Sequence, residues 1–192
     1  MGSVIALARG HFYKWFLPLI GRRFQAGHNF RVFGRLVVRG PGRVVFGDDV
    51  IVRYRVTPFT HHRDAVITIG SGTKLVGTRF GCALRITVGS RARLANCHIL
   101  DTDFHPIGIH NRDDPGAVRT AAVEVGNNVW IGDDNVILPG TVIGDNCVTS
   151  VMTVCSGKYA PNMVIVGNPG RAARKVPGAD ASGDGDASLV SP

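Results

Sequence analysis

The segment from residue 103 to residue 122 holds the side chains in this sequence whose types are best suited to chemistry. Asp103, His105 and His110 lie there, among two prolines and several charges. An imidazole with an ordinary pKa of about 6.5 can accept or release a proton near neutral pH. Histidine is also a common zinc ligand. His98 and the two loop histidines would supply the three protein ligands that zinc requires. The segment therefore offers a general base, a metal ligand or ordinary surface histidines.

The cysteines form neither a disulfide framework nor a nucleophile motif. The four present include no CxxC pair. A chain of 192 residues does not need disulfides to fold. We therefore expect reduced thiols in a cytosolic compartment. No serine or cysteine lies in a recognisable nucleophile motif, so a covalent intermediate on such a side chain is not expected.

A six-residue repeat predicts the elements that position the 103–122 segment. Its clearest members start six residues apart, at Val125-Gly126, Ile131-Gly132, Ile137-Leu138, Ile143-Gly144 and Thr149-Ser150. With short insertions, the pattern also occurs upstream at Phe46-Gly47, Ile69-Gly70, Leu75-Val76, Val88-Gly89 and Leu94-Ala95. One inward residue per hexad, followed by a small corner residue, predicts three short strands per coil of a parallel β-helix. Residues 103–122 lack hexads and are expected to loop out of the coil.

The composition agrees with a mainly β body. The chain has 25 glycines and 10 prolines, and only 7% of its residues are aromatic. Frequent turns and a core of small aliphatic side chains are therefore expected. We predict an N-terminal helix and lead-in over residues 1–43 and a β-helix domain over residues 44–176. Residues 177–192 are small and acidic, which predicts a disordered tail.

Residues 4–20 place apolar side chains at steps of three and four, which predicts one amphipathic helix. Two interpretations are open. The helix covers the open end of the β body, or residues 4–24 make a peripheral membrane contact assisted by Arg22 and Arg23. No run reaches the roughly 18 apolar residues of a membrane span. The expected location is cytoplasmic, with the inner membrane face as the alternative.

The net positive charge predicts an anionic partner but does not identify its class. Lysine and arginine total 22, against 14 acidic residues. Such an excess attracts nucleic acid, acidic lipid or a phosphorylated small molecule. No recognition helix, stacking motif or zinc pattern is present, so no nucleic-acid partner is expected.

Four motifs occur in order along the chain. They are ILDTDFHPI at 99–107, VGNNVWIG at 125–132, ILPGTVIGDN at 137–146 and VGNPGRAARKV at 166–176. Together they resemble the hexapeptide-repeat acyltransferases over residues 44–176. Within them the sequence is most similar to the sugar O-acetyltransferase group that includes maltose and exopolysaccharide-biosynthesis acetyltransferases. The resemblance implies a left-handed parallel β-helix, a homotrimer and acetyl-CoA bound between neighbouring subunits, with no metal.

The resemblance also implies roles for individual residues. His105 matches the family's catalytic histidine, which would accept the proton of an acceptor hydroxyl during attack on the thioester. Asp103 would hold the acceptor or orient the loop. Thr78 lies where maltose-type enzymes bind the acceptor, although their asparagine is missing here. The implied reaction is O-acetylation of a sugar or polysaccharide precursor, either a small molecule or a lipid-linked carbohydrate.

The implied cofactor site lies further along the chain. An indole is too large for a tight triangular interior, so Trp130 is expected to face a neighbouring subunit or the ligand. The resemblance adds Asp133, Val151, Ser156 and Gly157 along the pantetheine path. It adds Arg171 and Arg174, with Lys175 assisting, beside the CoA phosphates, where guanidinium groups bind phosphate well.

Three other functions compete with O-acetylation. N-acylation of an amino sugar or amine can use the same fold and histidine. A non-catalytic β-helix scaffold would look similar outside the histidine motif. A zinc β-helix like the γ-type carbonic anhydrases is disfavoured, because its flanking motifs are missing. Val151 and Met152 also depart from the small corner residues usual in the family, which leaves the acyl preference open.

Overall fold

The computed structural model describes residues 2–179 as one helix followed by a parallel β-helix. The helix, α1, spans Gly2–Leu19. The strands are β1 (Arg23–Ala26), β2 (Arg31–Val32), β3 (Arg35–Leu36), β4 (Arg43–Phe46), β5 (Ile51–Arg53), β6 (Arg55–Thr60), β7 (Val66–Ile69), β8 (Lys74–Val76), β9 (Arg79–Cys82), β10 (Arg85–Val88), β11 (Arg93–Ala95), β12 (His98–Leu100), β13 (Val123–Val125), β14 (Trp130–Ile131), β15 (Val136–Ile137), β16 (Val142–Ile143), β17 (Val148–Thr149), β18 (Val154–Cys155), β19 (Lys158–Tyr159), β20 (Met163–Val166) and β21 (Arg171–Lys175). A 3-10 helix, Pro115–Ala117, lies between β12 and β13. Most of the predicted tail, residues 180–192, lies outside the described residues.

Strands three apart in the chain pair in parallel and form three sheets, which are the faces of a triangular coil. The first sheet runs β1-β4-β7-β10-β13-β16-β19. The second runs β2-β5-β8-β11-β14-β17-β20-β21, and the third runs β18-β15-β12-β9-β6-β3. Only β21 departs from this rule among the described strands, because it pairs with β20 in antiparallel fashion. Equivalent positions of successive coils therefore stack in columns.

The inward column of small aliphatic side chains forms the core, as the hexads predict. Ile131, Ile137 and Ile143 are at most 1% exposed. Each buried aliphatic side chain contributes roughly 1.5–3 kcal/mol of transfer free energy. All four cysteines are also buried and free. Burial raises the pKa of Cys97 and Cys155 to about 12, so these thiols are protonated at neutral pH and are poor nucleophiles.

The coil begins earlier than the hexads indicate. Strands β1 to β3 form a first coil upstream of Phe46-Gly47, the first recognisable hexad. Its interior holds large rings: Phe24, Phe30 and Phe46 pack with ring centroids 5.4–5.9 Å apart. This end of the coil is filled by phenylalanine rather than by a small aliphatic residue. The repeat pattern is therefore hidden there.

Helix α1 packs on β1 and β2 and covers this aromatic end of the coil. Leu17 belongs to the same buried cluster. At Gly10 an added Cβ would lie 1.9 Å from the carbonyl oxygen of Phe30, so only glycine permits this approach. The opposite face of the helix exposes Phe12 and Trp15, which are 52% and 69% accessible. The helix covers the open end of the coil and also presents an outward apolar face.

Corner residues with left-handed backbone conformations connect the sheets. Asn128, Asn146 and Asn162 have φ between 54° and 64°. Their amide side chains form a ladder, in which each Nδ2 donates to the next Oδ1 at 2.9 Å. Asparagine tolerates this conformation better than most residues. Met152 occupies a similar corner at φ 59°, and nothing in the structure explains a methionine there.

Candidate active site

A buried carboxylate fixes the corner from which the 101–122 segment leaves the coil. Asp101 follows β12 and has no exposed surface. Its two carboxylate oxygens accept hydrogen bonds from the backbone N–H groups of Ala83 and Leu84, at 2.7 and 2.8 Å. These residues form the corner of the preceding coil. The base of the loop is therefore attached to the coil beneath it, and sequence analysis did not identify this residue.

The two ends of the loop run side by side as a short neck. Thr102 and Thr120 form an isolated antiparallel bridge. The N–H of Asp103 donates to the carbonyl of Arg119 at 3.1 Å, and the N–H of Ala121 donates to the carbonyl of Asp101 at 2.8 Å. Asp103 is half-buried in this neck. This contact is made by the backbone of Asp103, and it holds the start of the loop against its end.

Phe104 folds the end of the neck back over the third sheet. Its backbone has φ 63°, in the left-handed region. Its ring lies over Gly81, where an added Cβ would come within 2.5 Å of the ring carbon Cζ. The ring also packs against His61, with centroids 4.8 Å apart. His105 follows directly with an exposed side chain, so its imidazole is available to a ligand.

His61 supports the loop and was not identified from the sequence. Its ring packs against Phe59 and Phe104, and its buried Nε2 has no hydrogen-bond partner in residues 2–179. Burial, and secondarily the neighbouring His62, lowers the pKa of His61. The ring is therefore neutral at pH 7 and serves as packing beneath Phe104. The insertion between β6 and β7 gave no motif that could have indicated this contact.

The outer face of the third sheet forms a groove beside Phe104. The groove encloses about 740 Å³ and is lined by Tyr54, Arg55, Arg79 and His98, among others. Burial, and then the positive charge of Arg79, lowers the pKa of His98. The groove has both aromatic and cationic walls, and it meets the loop that carries His105.

Thr78 does not face this groove. It is fully buried, and its hydroxyl lies 3.4 Å from the carbonyl oxygens of Val76 and Leu94. The side chain therefore satisfies backbone groups inside the coil and has no surface to offer an acceptor. Asn96, the corner residue one coil further on, is exposed instead and donates to the Asp133 carboxylate at 2.8 Å.

The expected cofactor residues lie on the later coils. Trp130 stands on the outer face of the second sheet and is 54% exposed, as an indole excluded from the interior must be. Asp133 lies at the corner between the second and third sheets, and its carbonyl accepts from the N–H of Met152 at 2.9 Å. Val151 and Met152 occupy that same corner one coil later and are 59% and 69% exposed.

Ser156 and Gly157 lie at the corner between the third and first sheets. The N–H of Ser156 donates to the hydroxyl of Tyr159 at 3.1 Å, and that hydroxyl lies 3.0 Å from the carbonyl of Gly170. This N–H is therefore already paired within the chain. Gly157 has φ 101°, which explains the glycine, and an added Cβ there would meet open space.

Arg171 and Arg174 stand on β21, which extends the second sheet beyond β20. Arg171 pairs in register with Val166, and Arg174 pairs with Val164. Every residue of β21 is exposed. The guanidinium groups therefore project from the end of the coil, where they can reach a phosphate.

Within a single chain, the two halves of the expected site lie on different parts of the coil. The loop of His105 leaves the corner between the third and first sheets, whereas Trp130 and Arg174 stand on the second sheet. The histidines are also dispersed, because His98 lies on β12 and His110 lies in the loop. Within residues 2–179, no group of three or more His, Cys, Asp or Glu side chains has a metal-binding arrangement.

Residues 122–157 match the model of the bacterial transferase hexapeptide family, which comprises six repeats. The chain is 34% identical over 91 residues to galactoside O-acetyltransferase of Escherichia coli K12, covering 47% of this chain and 44% of that enzyme. The chain thus spans less than half the length of that relative. It is 27% identical over 158 residues to a putative lipopolysaccharide biosynthesis O-acetyl transferase of the same strain, covering 81% and 70% of the two chains.

A similar solved structure is that of AntD, an N-acyltransferase from Bacillus cereus, in complex with dTDP and 3-hydroxybutyryl-CoA. The TM-score is 0.61 at 18% identity, covering 87% of this chain and 90% of that one. The coil is therefore a left-handed parallel β-helix, as the motifs predicted. Residues 122–157 therefore carry the hexapeptide repeats of that family, and the chain is similar to O-acetyl transferring enzymes around them. No helix in residues 2–179 is long and apolar enough to span a bilayer.

Proposed function

We propose that this chain transfers an acetyl group from acetyl-CoA to a hydroxyl of a sugar or polysaccharide precursor. The observation that carries the proposal is the exposed His105 side chain at the end of a neck fixed by Asp101, beside a groove with polar and aromatic walls. Both curated relatives described above are named as O-acetyl transferring enzymes, which favours a hydroxyl acceptor.

His105 acts as the general base in a direct transfer. Its imidazole takes the proton of the acceptor hydroxyl as the oxygen attacks the thioester carbonyl carbon. The tetrahedral intermediate then expels CoA as a thiolate, which receives that proton from the imidazolium. The new ester bond replaces the thioester bond, so no acyl-enzyme forms. The protonated, buried cysteines agree with this route, because none presents a thiolate.

Acetyl-CoA binds on the later coils. The exposed indole of Trp130 packs beside the pantetheine arm, whose path is bordered by Asp133, Val151, Ser156 and Gly157. The guanidinium groups of Arg171 and Arg174 bind the CoA phosphates through charge-assisted hydrogen bonds.

The active unit is a homotrimer with its sites between subunits. His105 and Trp130 belong to different faces of one coil, so a compact site needs the histidine of one chain and the indole of its neighbour. A trimer with closed rotational symmetry has three such sites, one for each pair of neighbouring chains.

The protein works in the cytoplasm, with α1 resting on the inner membrane face. Val4, Phe12, Trp15 and Leu19 follow the outward side of the helix and are each more than half exposed. The side chains of Arg9 and Lys14 instead donate to backbone carbonyls of the coil. An outward apolar face on a protein of net charge +8 suits the interface of an anionic bilayer.

A thiol-release assay with acetyl-CoA and matched sugars and amino sugars tests the proposed reaction. We expect CoA release with hydroxyl acceptors, and a fall in kcat of about 10²–10⁴-fold in His105→Ala with CoA affinity unchanged. His110→Ala, in the same exposed loop, is the matched control and should retain activity. Faster turnover with amino sugars would instead favour N-acylation.

Two outcomes would contradict the proposed mechanism. Near-normal turnover in His105→Ala would remove the histidine from the chemistry. A kinetically competent acetylated peptide, trapped with labelled acetyl-CoA and no acceptor, would replace direct transfer with a covalent route. Absence of transfer to every acceptor, together with intact CoA binding, would favour a scaffold.

A further inference from the structure

Arginine side chains occupy two adjacent columns on the outer face of the third sheet, because Arg79 pairs in register with Thr57, two residues beyond Arg55. Arg35 on β3 pairs in register with Arg55 on β6, and Arg79 on β9 pairs with His98 on β12. Neighbouring strands in a sheet are about 4.8 Å apart. Like charges at directly opposed positions repel each other, so the Arg35–Arg55 pair has a cost in stability unless an anion lies beside it.

The described part of the chain supplies no carboxylate in ion-pair contact with these arginines. Its recorded ion pair joins Arg85 to Glu124, which lie on the first sheet. Arg55 and Arg79, which line the groove, have no carboxylate within ion-pair distance among residues 2–179. Burial is the main cause of the lowered pKa of His98, and the charge of Arg79 adds to this effect while that of Asp134 opposes it.

The cations occupy only the half of the face that adjoins the catalytic loop. In the next two coils the column of Arg79 and His98 continues with Val136 and Val154, which pair in register beyond His98. The charged half is also bordered by exposed aromatic rings, since Tyr54 and Phe104 are 72% and 37% accessible. An anionic group and a ring with an apolar face can therefore lie side by side there.

From this arrangement we infer that the acceptor carries a phosphate next to its sugar, and that Arg55, Arg79 and His98 bind this phosphate. The inference rests on the acetyl transfer proposed above. The sugar ring then lies against Phe104, at the base of the loop that presents His105. A phosphate matches the site because its charge exceeds one and its oxygens accept bidentate hydrogen bonds from guanidinium groups.

Three kinds of acceptor share this chemistry: sugar 1-phosphates, nucleoside diphosphate sugars and sugars linked to a lipid diphosphate. Titration calorimetry on the full chain compares glucose, galactose and N-acetylglucosamine with their 1-phosphates, and includes pyrophosphate alone. UDP-sugars and a short-chain prenyl diphosphate sugar are titrated separately, so that nucleotide-linked and lipid-linked acceptors are distinguished. We expect each phosphorylated compound to bind at least about tenfold more tightly than its neutral counterpart.

Substitutions of the groove arginines test whether the phosphate binds in the groove. Arg55→Gln and Arg79→Gln should each abolish most of the preference for the phosphorylated compound. Arg43→Gln is the control, because Arg43 is an exposed arginine of the same coil on the first sheet. His98 is monitored by NMR, and its ring signals should move on titration with pyrophosphate in wild type but not in Arg79→Gln.

The outcomes separate this inference from the proposed reaction. His105→Ala should bind the phosphorylated sugar as wild type does, so binding without any turnover would contradict the reaction and leave the phosphate site standing. Equal affinity for phosphorylated and neutral sugars would overturn the phosphate site. An equal loss in Arg43→Gln, or a loss of CoA affinity in Arg79→Gln that matches the loss for the sugar phosphate, would also overturn it.

Discussion

At the scale of single residues, His61 shows how burial sets the charge of a side chain beneath the loop. Its Nε2 is buried without a partner, and its ring separates Phe59 from Phe104. Desolvation lowers the pKa of His61 in the folded chain, and His62 adds to this effect while Asp101 opposes it. The unfolded chain therefore binds a proton more readily than the folded chain below about pH 6.5.

We expect the free energy of unfolding to decrease as the pH falls below about 6.5, and to level off once His61 is protonated in both states. In His61→Gln this decrease should be smaller, because the substituted side chain does not titrate. Urea unfolding at about pH 7.5 and about pH 5.5 measures the difference. A smaller decrease in the free energy of unfolding should remain in His61→Gln, because the pKa of His98 is also lowered in the folded chain. Identical pH dependence in both proteins would contradict the role assigned to His61.

At the scale of elements, the loop and strand β9 meet through one glycine. Gly81 leaves space for the Phe104 ring, since a Cβ there would approach Cζ to 2.5 Å. The ring in turn sets the position of His105, which follows it in the chain. A change in β9 should therefore alter the loop without touching the expected cofactor residues.

Gly81→Ala should displace Phe104 and lower kcat/KM for the acceptor by about tenfold or more, while leaving the Kd for CoA unchanged. Phe104→Ala in the Gly81→Ala background removes the clash, so the double variant should lose no more activity than Phe104→Ala alone. Steady-state kinetics and CoA titration check both statements. A full additive loss in the double variant would show that the glycine acts in some other way.

The helix α1 is the second element whose surface can be tested. Phe12→Ser with Trp15→Ser should reduce binding to vesicles of anionic lipid several-fold, because the two rings provide much of the outward apolar area. Leu84→Ser, an apolar residue that is 50% exposed on another part of the surface, is the control. Co-sedimentation at low and high salt measures the effect. If the double variant dissociates the oligomer in the absence of lipid, the helix face is a subunit contact instead.

At the scale of the whole molecule, the distribution of residues around the coil determines what one chain can do. His105 leaves one corner, while Trp130 stands on the second sheet and β21 extends that sheet with Arg171 and Arg174. These groups converge only if a second chain brings its second sheet towards the first chain's loop.

Mixed oligomers provide the test. Two inactive variants, His105→Ala and Trp130→Ala, should regain about a quarter of wild-type activity when unfolded and refolded together at equal concentration. This fraction is the chance that a site receives an intact histidine from one chain and an intact tryptophan from its neighbour. Light scattering verifies the trimer, and each variant refolded alone is the control. Failure of the mixture to recover activity would place both residues in a site within one chain.

The sequence determined the coil and the position of the loop that carries His105. Hexads such as Ile131-Gly132 and Ile137-Leu138 specify one inward side chain and one corner each, so local periodicity suffices to predict a β-helix. The same periodicity made the unrepeated 103–122 segment conspicuous. Its motif singled out His105, whose side chain is exposed.

Only the tertiary structure decided how residues of different coils meet. Thr78 lies inside the coil, while Asp101 reaches back to Ala83 and Leu84 and His61 lies beneath Phe104. These contacts join positions one or more coils apart, and they depend on the lengths of the insertions between hexads. Six-residue periodicity contains no information about such distances. The separation of the loop from the second sheet has the same origin, because the order of corners around the coil fixes which face each residue occupies.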